Sequence, residues 1–245
     1  MQTYKLIVEY DGTRYKGWQR QVTTDNTFQG ILEKIIGDIC GYKVEVDGSG
    51  RTDGGVHSRG QCASVELRRI VDPEIFREEI NKRLPEDIRV KEVTKQRKSF
   101  HARYDAKGKH YSYTVDTNDK ASVFIRKYAF HLPCELNLDD MKKAADYLTG
   151  QHDFSAFTDL KDETKSRNRY IEKITITKNK NIVRLDFYGN GFLYHMVRIL
   201  TGTLLEAGRG IKSPEDVKSI LDGKDRSKAG GLVPAKGLVL EEVYY

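Results

Sequence analysis

The chain reads as an α+β protein of two related α/β lobes, each a largely antiparallel mixed sheet with helices packed on one face, around a central cleft. Three observations predict this. Short runs with period-two alternation recur along the whole length, and two of them are joined as a hairpin. Longer stretches with apolar residues at helical spacing stand between them, bounded by capping residues and glycines. The order strand, helix, strands, helix, strand is then echoed by strand, helix, hairpin, helices, strand, which divides the chain near residue 105 into lobes 1–105 and 106–245.

Each element follows from local chemistry. Residues 3–10 alternate, with Tyr4, Leu6, Val8 and Tyr10 on one face, and Asp11-Gly12-Thr13 signals a turn. The segment 14–26 mixes Tyr15, Trp18, Gln19, Arg20 and Gln21. Rings among cations and amides suit stacking on bases and contact with phosphates; equally, Trp18 can plug the core beneath a surface loop. Residues 27–40 predict a helix through Phe28, Ile31, Leu32, Ile35, Ile36 and Ile39, with Gly41 as its stop. Strands are expected at 43–47 and 60–67, on either side of a glycine-rich loop. Asp72-Pro73 opens a second helix whose apolar face is Ile75, Phe76, Ile80 and Leu84. A strand at 88–94 and the mixed run Phe100-His101-Ala102-Arg103-Tyr104 close the first lobe.

In the second lobe, His110–Val115 predicts a strand with Tyr111 and Tyr113 on one face. Asn137 caps a helix over 138–149. Residues 158–168 read as a mobile basic loop, and 170–177 with 182–188 as a β-hairpin. From Phe192 to Ala207 the chain is apolar at helical spacing, and Arg198 lies inside that stretch. A buried cation needs a partner or ligand, because an unpaired one is very costly. Ser213-Pro214 begins a last helix, and the tail from Gly237 to Val243 is a closing strand.

Composition narrows the function classes. Of the 245 residues, 32% are charged and 38% hydrophobic, and no apolar run approaches the roughly 20 residues needed to span a bilayer. The N-terminus carries no signal-peptide pattern, and three scattered cysteines fit a reducing cytoplasm better than a disulfide framework or a zinc site. The net charge of +6 implies an anionic partner, most economically a nucleic acid.

The chemistry centres on Gly48-Ser49-Gly50-Arg51-Thr52-Asp53-Gly54-Gly55-Val56-His57. Glycines let the backbone come close to a ligand, so this is a tight loop displaying Asp53 beside Arg51. The plain reading of an Asp between glycines is a turn former; the sharper one is a reactive carboxylate. The loop is no dinucleotide fingerprint, because Asp53 stands at the third glycine position and a strand follows. It lacks the Gly-Lys-Ser/Thr of a phosphate loop, and the sixth and twelfth positions of a calcium loop are wrong. Glycoside hydrolysis needs a second carboxylate, which this loop does not carry. His152-Asp153 has no third ligand at metal spacing. What remains is one carboxylate, arginines, tyrosines and a polyanion, which suits chemistry at a nucleoside.

At the level of motifs the sequence resembles the tRNA pseudouridine synthase A family. The resemblance runs from residue 4 to the C-terminus. It rests on Tyr10-Asp11-Gly12-Thr13 with Gly17-Trp18-Gln19, and on Gly50-Arg51-Thr52-Asp53 with Gly55-Val56-His57. Leu84-Pro85, Phe100-His101-Ala102-Arg103, Lys109-x-Tyr111-x-Tyr113 and His152-Asp153-Phe154 follow. Gly191-Phe192-Leu193-Tyr194 with Met196-Val197-Arg198, and Pro234-Ala235 with Gly237-Leu238, complete it. Gly54, Phe28 and Val233 depart from the commoner Ala, Val and Ala.

The resemblance implies the pseudouridine synthase fold and isomerisation of uridine to pseudouridine at positions 38 to 40 of the tRNA anticodon stem-loop. It makes Asp53 the nucleophile, at C1′ or at C6. It makes Tyr111 the tyrosine that packs on the target base and Arg198 the cation that pairs with the aspartate. Leu238 becomes the apolar neighbour of that base, and Arg51 a residue that extrudes it or holds its phosphate. Trp18 and Arg103 join the expected substrate contacts. No metal or organic cofactor, a cytoplasmic location and a homodimer engaging tRNA are further expectations. A non-catalytic RNA-binding protein and an N-glycosidase-like hydrolase are the competing readings.

Overall fold

A computed structural model describes residues 1–245. By contact density the chain divides into two units, one of Met1–Lys107 with Val239–Tyr245, the other of Gly108–Leu238. Both are mixtures of helices with mostly antiparallel sheet, the α+β class the sequence predicts.

The first unit is built on β1 (Gln2–Tyr10), whose alternating pattern buries Tyr4, Leu6, Val8 and Tyr10 and leaves Lys5, Ile7 and Glu9 half-exposed. α1 (Phe28–Cys40) covers that buried face, with the rings of Phe28 and Tyr10 stacked at 3.7 Å between centroids. Its ends are chemical: the Thr27 side chain accepts from the Gly30 amide, and Gly41 closes the helix at φ 76°. α2 (Pro73–Asn81) packs beside it through Phe76 and Ile80, with Asp72 as N-cap. Ile75, expected on the apolar face, is 64% exposed. In so short a helix Phe76 and Ile80, one turn apart, define the buried stripe, and the adjacent residue points about 100° away.

β3 (His57–Leu67) pairs antiparallel with β1 from Gln2↔Leu67, and β4 (Ile88–Gln96) pairs with the other side of β1. The remaining side of β3 is shared. β2 (Val46–Gly48), shorter than the expected strand, takes Ala63–Val65. β10 (Leu238–Tyr244) lies parallel to β3 at Val239↔His57 and Leu240↔Ser58. The closing strand therefore belongs with the first unit and not with the second lobe, where sequence order had put it. The physical reason is the Asp53 loop: β2 leaves β3 at Gly48↔Ala63, and the peptide groups of His57 and Ser58 are left for another strand.

The second unit orders its sheet β5 (Gly108–Asp116), β9 (Ile182–Gly189), β8 (Asn168–Asn179) and β7 (Gly150–Asp153), all antiparallel, with β6 (Phe130–His131) parallel to β5. The β8–β9 hairpin turns at Lys180, which takes the left-handed conformation that the tight two-residue connection needs. α3 (Leu138–Leu148) is capped by Asn137, whose side chain accepts from two backbone amides. It packs on α4 (Met196–Gly208) so closely that a Cβ on Gly208 would meet the Met141 sulfur at 2.6 Å. α5 (Pro214–Gly223) begins with a reciprocal capping box between Ser213 and Asp216. No helix is long and apolar enough to cross a membrane.

Candidate active site

Hydrogen bonds hold most of the loop from Gly48 to His57 in place. The Ser49 amide donates to the Cys62 carbonyl at 2.8 Å, and its hydroxyl to Gln61 Oε1 at 2.7 Å. Gln61, fully buried, donates to the Gly50 carbonyl at 3.0 Å. Thr52 is clamped twice: its hydroxyl lies 2.9 Å from the Tyr10 hydroxyl, and its carbonyl accepts from the Trp18 amide at 3.0 Å. A turn follows, with the Val56 amide donating to the Asp53 carbonyl at 3.2 Å and Gly55 at φ 81°. Asp53 is half-buried at the start of that turn. Hydrogen-bonded neighbours on both sides restrict where its carboxylate can go.

His57 ends the loop, 3% exposed. Its Nδ1 accepts from the Gly12 amide at 3.0 Å and lies 3.2 Å from Asp11 Oδ1. Both contacts fix the ring at the end of the loop. Gly12 is required there, since a Cβ would meet the Val56 carbonyl oxygen at 2.1 Å.

Trp18 is 2% exposed, and its indole occupies the space where a Gly48 Cβ would stand, 2.4 Å from that position. Of the two readings of Trp18, packing is the one observed. Its ring supports the loop from inside and presents no face for a base. Arg51 is exposed, and its Nε donates to Gln19 Oε1 at 2.9 Å. Gln19 donates to Gln29, and Gln29 to Glu33, a buried carboxylate that also accepts from Arg20 at 2.7 Å. Arg51 is thus oriented by a polar chain that reaches α1. Arg103 is exposed too, with its guanidinium 5.9 Å from the Tyr104 ring, which stands 77% exposed beside His101.

In the second unit Tyr111 sits on β5 opposite Phe187, 7% exposed, edge-on to Phe192 at 5.3 Å. Tyr113 is fully buried, donates to the Pro234 carbonyl at 2.7 Å, and has its phenol pushed up by burial, with the Arg198 charge opposing. Leu238 is 6% exposed, next to Gly237, where a Cβ would meet the Tyr113 ring at 2.6 Å.

Arg198 lies within the apolar helix the sequence predicts, but close to its start. α4 starts at Met196, because His195 takes the left-handed conformation at φ 62°. Arg198 is therefore in the first turn, half-buried, its Nε donating to the Val233 carbonyl at 2.8 Å. A cation at the positive end of a helix dipole gains nothing from the helix, so its presence has to be explained by something else it serves. The loop 158–168 likewise differs from expectation in part. Lys161 and Lys165 are exposed, but the Arg167 guanidinium is half-buried and donates to the Leu160 carbonyl at 3.1 Å.

His152 and Asp153 serve the fold: His152 Nε2 meets the Thr149 carbonyl at 2.8 Å, and Asp153 caps the turn at Ser155 and pairs with Lys224. No group of three or more His, Cys, Asp or Glu side chains stands where it could hold a metal ion. Tyr10, Thr52 and His57 entered the sequence reading only as members of motifs, with no role of their own, and Gln61 had no functional signal at all. β3 is buried on both faces near its start, so polar residues there break no alternation that would mark them out.

A sequence model described as tRNA pseudouridine synthase matches residues 6–105 and 144–245. The chain is 45% identical over 245 residues to tRNA pseudouridine synthase A of Bacillus sp. (strain KSM-64), covering 100% of both chains. Identity is 44% to tRNA pseudouridine synthase A of Clostridium botulinum (strain Alaska E43 / Type E3) and 45% to that of Clostridium kluyveri, again over 100% of each chain.

Proposed function

The chain belongs to the tRNA pseudouridine synthase family, an isomerase family acting on tRNA, and we propose that it converts uridine to pseudouridine at positions 38 to 40 of the anticodon stem-loop with Asp53 as nucleophile. The observation that carries the residue assignment is the loop itself. It is a glycine-rich connection whose flanking residues are fixed by Thr52–Tyr10 and Ser49–Gln61 hydrogen bonds and whose one carboxylate is held at the turn.

In this reading the Asp53 carboxylate attacks C1′ or C6 of the target nucleotide. The bond from C1′ to N1 breaks, the uracil turns, C5 bonds to C1′, and the bond between the nucleotide and the Asp53 oxygen breaks, which returns the free carboxylate. C5 gives up its proton and N1 gains one, so the composition of the nucleotide is unchanged. Tyr111 packs on the base, and Arg198 serves as counter-ion of the carboxylate. Leu238 borders the base, and Arg51 and Arg103 contact the RNA, Arg51 from a side chain already oriented by Gln19. Extruding a base costs a few kcal/mol, on the order known for base-flipping enzymes, which basic and stacking contacts offset. The reaction needs neither metal nor organic cofactor, takes place in the cytoplasm, and is carried out by a homodimer.

The test is tritium release from C5-labelled uridine in a tRNA transcript. The wild-type chain is expected to release it, and Asp53→Asn, folded and still binding tRNA, to release none. Free uracil in the mixture would show a hydrolase instead, and salt-sensitive binding without product a non-catalytic RNA-binding protein. Wild-type release by Asp53→Asn would remove Asp53 from the mechanism.

A further inference from the structure

Three residues outside glycine take the left-handed conformation: Lys180, His195 and Lys224. Lys180 is in a hairpin turn and Lys224 follows the end of α5, the places where that conformation is usual. His195 is different, because it begins a helix. Strained backbone of this kind persists only where surrounding contacts impose it, and those contacts are identifiable.

His195 Nδ1 donates to Asp159 Oδ2 at 2.7 Å. The other carboxylate oxygen of Asp159 accepts from Arg226 Nε at 2.9 Å. Burial works to raise the Asp159 carboxyl, but the bonds from His195 and Arg226 outweigh it and hold the group below its usual range. The backbone is fastened at the same place, with the Tyr194 carbonyl accepting from the Thr158 hydroxyl at 2.8 Å.

Two lines run from this carboxylate to Arg198. Along the chain, the His195 carbonyl accepts from the Ile199 amide at 3.0 Å, so the conformation of His195 sets the first turn of α4, which carries Arg198. Through space, Arg226 donates to the Gly230 carbonyl at 3.3 Å, and the Gly230 amide donates to Thr203 on α4 at 2.9 Å. Gly231 lies so close to α4 that a Cβ on Gly202 would meet its carbonyl oxygen at 2.0 Å. That segment continues to Val233, whose carbonyl accepts from Arg198. Asp159 thereby holds both the backbone from which the guanidinium projects and the strand of chain that orients it.

We propose that Asp159 is a positioning residue of this enzyme, acting through His195 and Arg226 to fix the direction of the Arg198 guanidinium. The proposal rests on the chemical role given to Arg198 above. A displaced group of about 1 Å at a reacting centre costs on the order of a hundredfold in rate, so the effect belongs in the chemical step and not in tRNA affinity.

The experiment compares single-turnover isomerisation rates and tRNA dissociation constants for the full-length wild type, Asp159→Ala, Arg198→Ala and the double variant, with melting curves to establish that each is folded. Asp159→Ala is expected to slow the chemical step by roughly ten- to a hundredfold with little change in affinity, and to add nothing further in the Arg198→Ala background. Should Asp159→Ala fold poorly, His195→Gly and His195→Asn replace it. Glycine accepts the left-handed backbone without the imidazole, whereas asparagine tolerates it and restores a donor toward Asp159. The asparagine variant is expected to be the faster of the two. A slow Arg198→Ala beside an Asp159→Ala of wild-type speed, or rate losses that multiply in the double variant, would overturn the positioning role alone. An Arg198→Ala of wild-type speed would overturn the role of Arg198 and the positioning role with it.

Discussion

The hydroxyls of Thr52 and Tyr10 lie 2.9 Å apart in the buried interior of the first unit, one residue away from Asp53. Burial pushes the Tyr10 phenol well above its ordinary range, so it remains a neutral hydroxyl that can donate or accept. Tyr10→Phe leaves the Thr52 hydroxyl short of a partner, which costs about 1–3 kcal/mol. The expected outcome is a lower urea midpoint with an unchanged slope, and slower isomerisation because the loop loses an anchor. A Tyr10→Phe enzyme as stable and as fast as wild type would count against Thr52 as the anchor of Asp53.

The two adjacent glycines after Asp53 should respond oppositely to alanine. At Gly54 a Cβ would lie 3.4 Å from the Tyr15 carbonyl oxygen and farther from Lys16, ordinary contact distances, and the backbone is not left-handed. Gly54→Ala is expected to be neutral or to stabilise by about 0.4–1 kcal/mol. At Gly55, with φ 81°, alanine is expected to cost about 1–2 kcal/mol. Thermal melting of the two variants distinguishes them, and equal melting temperatures would contradict the turn geometry.

Trp18 separates support from stacking. Because its ring fills the space over Gly48, Trp18→Ala is expected to destabilise the fold by about 3–5 kcal/mol. A variant of wild-type stability that nevertheless bound tRNA poorly would restore the stacking role.

Asp186 supplies a pH dependence. Burial works to raise its carboxyl, but bonds from Arg184 and His110 outweigh it, so the folded-state value lies below the unfolded one. The sign follows: the unfolded chain binds the proton more readily, so this contribution to stability is fully present above about pH 4. It is lost as pH falls through the depressed folded-state value. Urea unfolding at a series of acid pH values is expected to show stability falling below about pH 4, with a shallower fall for Asp186→Asn. An unchanged slope in that variant would remove Asp186 from the acid response.

Most of the elements were legible because their signals are local. The alternation of Tyr4, Leu6, Val8 and Tyr10, the caps at Thr27, Asp72, Asn137 and Ser213, and Gly41 as a left-handed stop all act within a few residues, and each stands where the periodicity places it. The exceptions are instructive. Ile75 has the right residue type but faces solvent, because α2 is too short for a wide apolar face. The apolar run from Phe192 begins before the true start of α4, which follows the left-handed His195, a residue hydrogen-bonded to Asp159, 36 residues earlier.

The sequence by itself determined the chemistry on offer: a carboxylate in a glycine loop, basic and aromatic residues around it, and motifs that belong to one family. Only the tertiary structure decided how those groups are held. It buried Trp18, tied Arg51 to Gln19, moved Arg198 into a first helical turn, and brought β10 to the edge of β3 that the Asp53 loop vacates. These outcomes depend on hydrogen bonds and packing between residues distant in sequence. A side chain's periodicity reports its own element, and does not report which partner will satisfy its polar atoms once the elements pack.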